Sequence, residues 1–147
     1  MSLKERLTNE LKEAMKNKDT VGKNVITMIR SDIKQMEVDK RIEASDEDII
    51  EIISRQLKQR RDAKEEFQNG NRQDLVEQCE SEIEVLLKYL PKQLSEEEVR
   101  EIVIATINET GFNTSKDMGK LMSAVMPKVK GKADGKIVNQ VVRQSLN

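Results

Sequence analysis

Apolar residues recur along this chain at steps of three and four, and nowhere do they alternate with a period of two over a useful length. Leu3, Leu7, Leu11 and Met15 form one such series, and Val25, Ile26, Ile29, Ile33 and Met36 form the next. Ile49, Ile50, Ile53 and Leu57 make a third, weakening into Ala63 and Phe67. Leu75, Val76, Cys79, Ile83, Leu86, Leu87 and Leu90 make a fourth. This spacing puts each series on one stripe of a helix and leaves no segment that reads as a half-buried strand. The expected fold class is all-α. With Phe67, Tyr89 and Phe112 as the only aromatics, and 36% of residues charged, each helix has one stripe to bury and little bulk to build a thick core.

Capping signals set the boundaries. The first helix ends near Asn17 or Lys18, and Asp39 to Ala44 reads as a charged connection. Ser45-Asp-Glu-Asp48 reads as an N-cap box, with acids where the helix dipole favours them. Asn69-Gly70 is a turn signal, so the third and fourth helices form a long antiparallel hairpin, each of about 20 residues. Pro91 stops the fourth helix, and Ser95-Glu-Glu-Glu98 immediately starts another. The expected organisation is an N-terminal helical subdomain over 1–90, a hinge near Pro91, and a small three-helix unit over 95–147. In that unit Val99, Ile102, Val103 and Ile107 line the first helix, which Gly111 caps. Thr114-Ser-Lys-Asp117 resembles a second box, opening a helix with Met118, Leu121, Met122 and Val125 that Pro127 ends. Asp134 caps the last helix, whose inner face is Ile137, Val138, Val141, Val142 and Leu146.

Charge is unevenly distributed. From Phe112 to Asn147 seven Lys/Arg face two Asp/Glu, a net +5, whereas the rest of the chain carries −6. The basic residues are Lys116, Lys120, Lys128, Lys130, Lys132, Lys136 and Arg143. Lys116 and Lys120 lie four apart, on the side of their helix away from Met118. Lys128, Lys130 and Lys132 follow the proline in an irregular segment, and Lys136 sits at the mouth of the last helix. Glycines beside a helix N-terminus let N–H groups approach a phosphate, so this region reads as a cradle for a sugar-phosphate backbone. The plainer alternative is a solvated lysine surface and a flexible loop, with Asp134 serving only as a cap. A second cluster, Arg55, Lys58, Arg60, Arg61 and Lys64, is largely neutralised by acids at i,i+4; only Arg60 and Lys64 lack a partner at that spacing and extend the track as weaker candidates.

Several chemistries are excluded. The chain has no histidine, which removes the commonest general base and metal ligand along with Ser-His and Cys-His nucleophile designs. Gly131-Lys-Ala-Asp-Gly-Lys136 lacks the spacing of a P-loop, because Lys130 stands where the first glycine belongs. Cys79 falls on a helix seam among Glu77, Glu80, Glu82 and Glu84 and reads as a packing residue, and those acids read as outer helix faces with no metal site. Met118 and Met122 fit the core stripe, so packing is the simpler role for them than an adaptable contact surface. No catalytic residue, metal or cofactor is expected. No apolar run is long enough for a bilayer. The N-terminus lacks a secretory pattern and the single cysteine suits a reducing compartment, so the expected location is cytoplasmic. With so few aromatics to stack on bases, a nucleic-acid partner would be held by backbone and shape, which favours a folded RNA.

The run Met118-Gly-Lys-Leu-Met-Ser-Ala-Val-Met-Pro-Lys-Val-Lys-Gly-Lys-Ala-Asp-Gly135, preceded by Tyr89-Leu-Pro-Lys-Gln-Leu-Ser-Glu-Glu-Glu98, resembles the YqeY family over essentially the whole chain. That family is similar to the C-terminal tail of the GatB subunit of the tRNA-dependent amidotransferase, and similar tails occur on some glutaminyl-tRNA synthetases. The resemblance implies two all-helical subdomains and a role in holding tRNA. It places that contact at Gly119, Lys120, Lys128, Lys130, Gly131, Lys132, Asp134, Gly135 and Lys136. It supplies no counterpart of the catalytic body, so a carbon–nitrogen ligase activity with glutamine as amido-N-donor is inherited in name only. Three functions are therefore in play. The first is a non-catalytic module that binds the outer, folded part of tRNA and acts in trans with an aminoacyl-tRNA synthetase or amidotransferase. The second is a helical protein–protein adaptor, and the third an accessory part of the ligase.

Overall fold

The computed structural model describes residues 1–146 and contains, among them, seven α-helices, one short 3-10 turn and no strand. The fold is all-α. Its contacts divide it into two compact units, Met1–Leu90 and a second beginning at Pro91.

The first unit holds α1 (Leu3–Lys16), α2 (Thr20–Lys40), α3 (Asp46–Asn69) and α4 (Gln73–Leu87). Helix α2 packs against all three of the others, because Val25, Ile26, Ile29 and Ile33 present a broad aliphatic face that is fully buried. Leu7 of α1, Ile49, Ile52, Ile53 and Leu57 of α3, and Val85 and Leu86 of α4 complete that core. On α3 it is Ile52 that is buried and Ile50 that is only half-buried, so the stripe lies slightly around the helix from the expected line. Ser2 and Ser45 each form a reciprocal capping box, with Glu5 and Asp48 respectively.

Two local expectations are corrected, and the turn at Asn69-Gly70 falls where expected. Asp39 and Lys40 belong to α2, which runs on until Arg41 takes a left-handed conformation at φ 55°. The α3–α4 hairpin is uneven, 24 residues against 15. In its turn Gly70 has φ −86° and the left-handed residue is Asn71 at φ 57°, so the glycine's freedom is not what makes the reversal.

Tyr89 ties α1 to the end of the hairpin. Its ring is buried, its hydroxyl donates to Glu10 Oε1 at 3.2 Å, and the Arg6 guanidinium lies 4.8 Å from the ring centroid. Arg6 also pairs with Glu10 at 2.7 Å and donates to the Lys88 carbonyl at 3.2 Å.

The second unit holds α5 (Glu96–Thr110), the 3-10 turn Ser115–Asp117, α6 (Met118–Val129) and α7 (Gly135–Ser145). Its core is mostly valine: Val99, Val103, Val125, Val129, Val138, Val141 and Val142 surround Leu121, all at 0% exposure. Ser95 and Glu98 form the expected capping box, and Gly111 caps α5 at φ 79° with its N–H on the Ile107 carbonyl. At the far side of α7 the expected inner face is narrower: Ile137 is 37% exposed, while Val138, Val141 and Val142 are sealed and Leu146 packs at the edge.

Pro127 does not end its helix. α6 continues through Val129. A proline so close to the helix end forfeits one backbone hydrogen bond, worth about 0.5–1.5 kcal/mol. Burying Val129 completely contributes about 1.5–3 kcal/mol, so the packing wins. The Thr114 box is likewise only half made: the Thr114 hydroxyl donates to the Asp117 carboxylate at 3.2 Å, and no side chain accepts from the backbone at the start of that turn.

Two outcomes are expected. Leu121→Ala should cost about 2–5 kcal/mol, enough to unfold so small a unit, read as loss of helical circular dichroism and of thermal transition amplitude. Burial, with the Glu10 carboxylate adding to it, pushes the Tyr89 phenol up to about 12. A raised pKa means the neutral phenol is the form the fold holds. Its contribution is therefore complete below the unfolded value near 10 and is lost as pH rises from about 10 toward 12. Phenolate absorbance of this single tyrosine should stay flat through pH 10 in the folded protein; ionisation there would contradict the packing described.

Candidate nucleic-acid interface

The basic end of the second unit is built on one turn. Lys130 closes α6 with extended geometry and Gly131 follows at φ 76°, a conformation that glycine adopts without strain. The N–H groups of Lys132 and Ala133 then return to the Val129 carbonyl at 2.8 and 3.1 Å. From the start of the unit, Gln93 Nε2 donates to the Gly131 carbonyl at 2.9 Å, and the Leu94 N–H donates to the Lys132 carbonyl at 2.7 Å. Asp134 takes up the N-terminus of α7 by accepting the Lys136 N–H at 2.9 Å. The loop is thus a clamped turn, in contrast to the flexible segment of the plainer sequence reading. Gln93 is a site residue that sequence reasoning missed; only its place in the Leu90–Leu94 stretch hinted at it.

The lysines are placed unequally. Lys130 and Lys132 stand exposed on the turn, and Lys136 stands exposed on the first turn of α7. Lys120 is exposed on α6, its ammonium 5.8 Å from the Phe112 ring centroid, close enough for a cation–π contact. Lys116 is not on the same helix as Lys120: it lies in the 3-10 turn, so the two do not share a helical face. Lys128 is the clear correction. It is helical because α6 passes through Pro127, and its ammonium donates to Thr106 Oγ1 and to Glu109, each at 2.9 Å. Thr106 is wholly buried and hands its own hydroxyl to the Ile102 carbonyl, so Lys128 braces α6 against α5. Asp134 is similarly occupied as a cap.

Gly119 and Gly135 open α6 and α7, and a Cβ built on either meets no atom within 4 Å. Internal packing requires neither glycine, although glycine inside a helix costs about 0.5–1 kcal/mol relative to alanine. Arg143 is exposed two turns along α7 from Lys136, and between them the same face carries Asn139 and Gln140, with Gln144 at its end. These three amides were not singled out in the sequence, although their i, i+1 and i+5 spacing between two basic residues made them visible.

In the first unit the weaker candidates are both ion-paired. Arg60 pairs with Glu82 and Lys64 with Glu80 at 3.3 Å, both across the hairpin to α4. Their partners lie on the neighbouring helix, which i,i+4 counting cannot see. Cys79 is buried beside them, and that burial, with the Glu82 charge adding, pushes its thiol up. Among the described residues no group of three or more His, Cys, Asp or Glu is placed to hold a metal. A cleft of about 550 Å³ lies between α1 and α2, bordered by Lys4, Thr8, Thr27, Arg30, Lys34 and Glu37. Lys4 pairs with Glu37 at 2.7 Å, and that bond, followed by the Ala44 N–H, holds the Glu37 carboxyl below the usual range. No helix is long and apolar enough to cross a membrane among the described residues.

Residues 4–146 match the family described as Yqey-like protein. The protein named "Altered inheritance of mitochondria protein 41, mitochondrial" from Lachancea thermotolerans is 42% identical over 85 residues, covering 57% of this chain and 46% of the relative. Its namesake from Clavispora lusitaniae is 34% identical over 106 residues, covering 71% of this chain and 62% of the relative. That from one Saccharomyces cerevisiae strain is 33% identical over 85 residues, covering 57% and 46%. The chain thus spans about half the length of most of these relatives. With the match running over nearly every residue of both helical units, the protein belongs to the YqeY family.

Proposed function

We propose that this protein is a non-catalytic tRNA-binding module whose contact surface is the basic turn between α6 and α7. The observation that carries the reading is the clamped turn itself. Gln93 and Leu94 clamp the backbone of the turn that carries the exposed Lys130 and Lys132, the exposed Lys136 follows on the first turn of α7, and there is open space above Gly119 and Gly135. Cations at set spacing with accessible backbone nearby suit the phosphates of a folded RNA better than those of a flexible strand. The +5 charge of the segment adds long-range attraction that the acidic remainder does not supply.

On this reading the protein holds the outer, folded part of tRNA and works in trans with an amidotransferase or an aminoacyl-tRNA synthetase. Any carbon–nitrogen ligase chemistry with glutamine as amido-N-donor belongs to that partner, because a chain without histidine has few groups for it. The site of action is a compartment that contains tRNA. The cytoplasm fits, and so do mitochondria, for which the relatives above are named.

The second reading, a protein-interaction adaptor, draws on the α1–α2 cleft. There Arg30 and Lys34 border the opening and have no hydrogen-bond or ion-pair partner among the described residues. An RNA-independent complex with a purified synthetase or amidotransferase, unaffected by changes in the α6–α7 turn, would favour it.

The deciding experiment is binding of the purified chain to tRNA, duplex DNA and an unstructured RNA over a salt series. tRNA should bind tightest, with log affinity falling linearly against log salt. Lys130→Gln with Lys132→Gln should flatten that slope by about 0.7–0.9 for each phosphate contact removed. Lys128→Gln should differ in kind and lower stability, since it strips Thr106 and Glu109 of their partner. Equal, weak binding to all three nucleic acids would reject the module reading.

A further inference from the structure

α7, like α6 before it, carries no carboxylate: Gly135–Ser145 contains no Asp or Glu, in a protein with 27 of them. Its inner face is sealed by Val138, Val141 and Val142. Its outer face, read along the helix, is Lys136, Asn139, Gln140, Arg143 and Gln144, which together line one shallow groove. Ordinary solvated helices mix charge signs, as α3 and α5 do here. Asn139 is also a poor choice for a helix interior on propensity alone. Among the described residues the side chains of Asn139, Gln140 and Arg143 make no hydrogen bond or ion pair within the unit. Gln144 is held in place, its Oε1 accepting from Arg100, which Glu96 anchors in turn; its amide N–H groups remain to donate.

The chemistry of those groups separates them from the lysines. A phosphate offers only acceptors, so half of an amide's capacity is wasted on it. An amide matches groups that both give and take a hydrogen bond: base edges and the ribose 2′-hydroxyl. From Lys136 to Gln144 the stripe is about 12 Å long, the reach of a few nucleotides. An A-form RNA presents 2′-hydroxyls and base edges in a wide, shallow groove, and folded loops present unstacked bases. The absence of carboxylates removes what would repel such a partner, and the Arg143 fork can bridge two acceptors at once.

We propose that the outer face of α7 is the discriminating surface of this protein, with Asn139, Gln140 and Arg143 reading ribose hydroxyls and base edges of a folded RNA. The basic turn before it supplies the sequence-independent attraction. The inference rests on the RNA-binding reading and adds to it the element that tells RNA from other polyanions.

The test uses the full chain with a tRNA transcript and a duplex DNA of similar length, each at two salt concentrations. Asn139→Ala with Gln140→Ala removes no charge. It should lower tRNA affinity by about fivefold or more, leave duplex DNA affinity and both salt slopes unchanged, and so collapse the preference for tRNA. Arg143→Lys, which keeps the charge and loses the fork, should move the preference the same way; it also provides a reading independent of the half-buried Asn139. The Lys130→Gln and Lys132→Gln pair should do the opposite, weakening both ligands together and flattening the slopes. If the wild type prefers tRNA and the amide and Arg143 variants keep that preference, the α7 face is ordinary surface, open to a protein partner, and the inference falls while the module reading stands. If the wild type shows no preference, the module reading falls and takes the inference with it.

Discussion

The complete burial of Val129 sets the position of nearly everything basic in the second unit. It draws the last turn of α6 into the valine core despite Pro127, and its carbonyl then collects two returning N–H groups, from Lys132 and Ala133. Because α6 continues, Lys128 is helical and reaches the buried Thr106 hydroxyl, while Lys130 and Lys132 stand exposed on the turn. One aliphatic side chain therefore sorts three lysines at alternate positions into one structural brace and two exposed cations. The Gln93 and Leu94 bonds complete the turn from the other end of the unit. A hydrophobic contact is non-directional in itself, yet here it decides the direction of charges.

The first unit solves a different problem. With few aromatic side chains, bulk must come from aliphatic contacts, and α2 provides them by facing three helices at once. Ion pairs then finish the hairpin beyond the core, where Arg60 and Lys64 meet Glu82 and Glu80. Such pairs, partly exposed, contribute modestly to stability, but they consume the charges that would otherwise read as a binding track. Tyr89 adds a directional lock in which ring burial, a hydroxyl bond to Glu10 and the Arg6 guanidinium reinforce one another.

On the proposed reading, attraction and discrimination are separated: the lysines of the clamped turn act as point charges and respond to salt, whereas the uncharged amides of α7 act through geometry and do not. Both belong to the second unit, whose small valine core is shared by its three helices.

Most of the secondary structure was legible in the sequence, because helix formation is governed by neighbours three and four residues away. The capping boxes at Ser45 and Ser95, the left-handed Gly111, the Asp134 cap and the aliphatic stripes all follow from local spacing. The charge asymmetry and the lack of any histidine were equally plain. The family resemblance pointed to the stretch around the α6–α7 turn. What the tertiary structure alone decided were the partners of individual polar side chains. Lys128 meets Thr106 across 22 residues, Arg60 meets Glu82 across 22, and Gln93 meets Gly131 across 38. No local pattern encodes contacts at such separations; they exist because packing brings distant segments together. The same holds for Pro127, where a strong local stop signal yields to the burial of a residue two positions on.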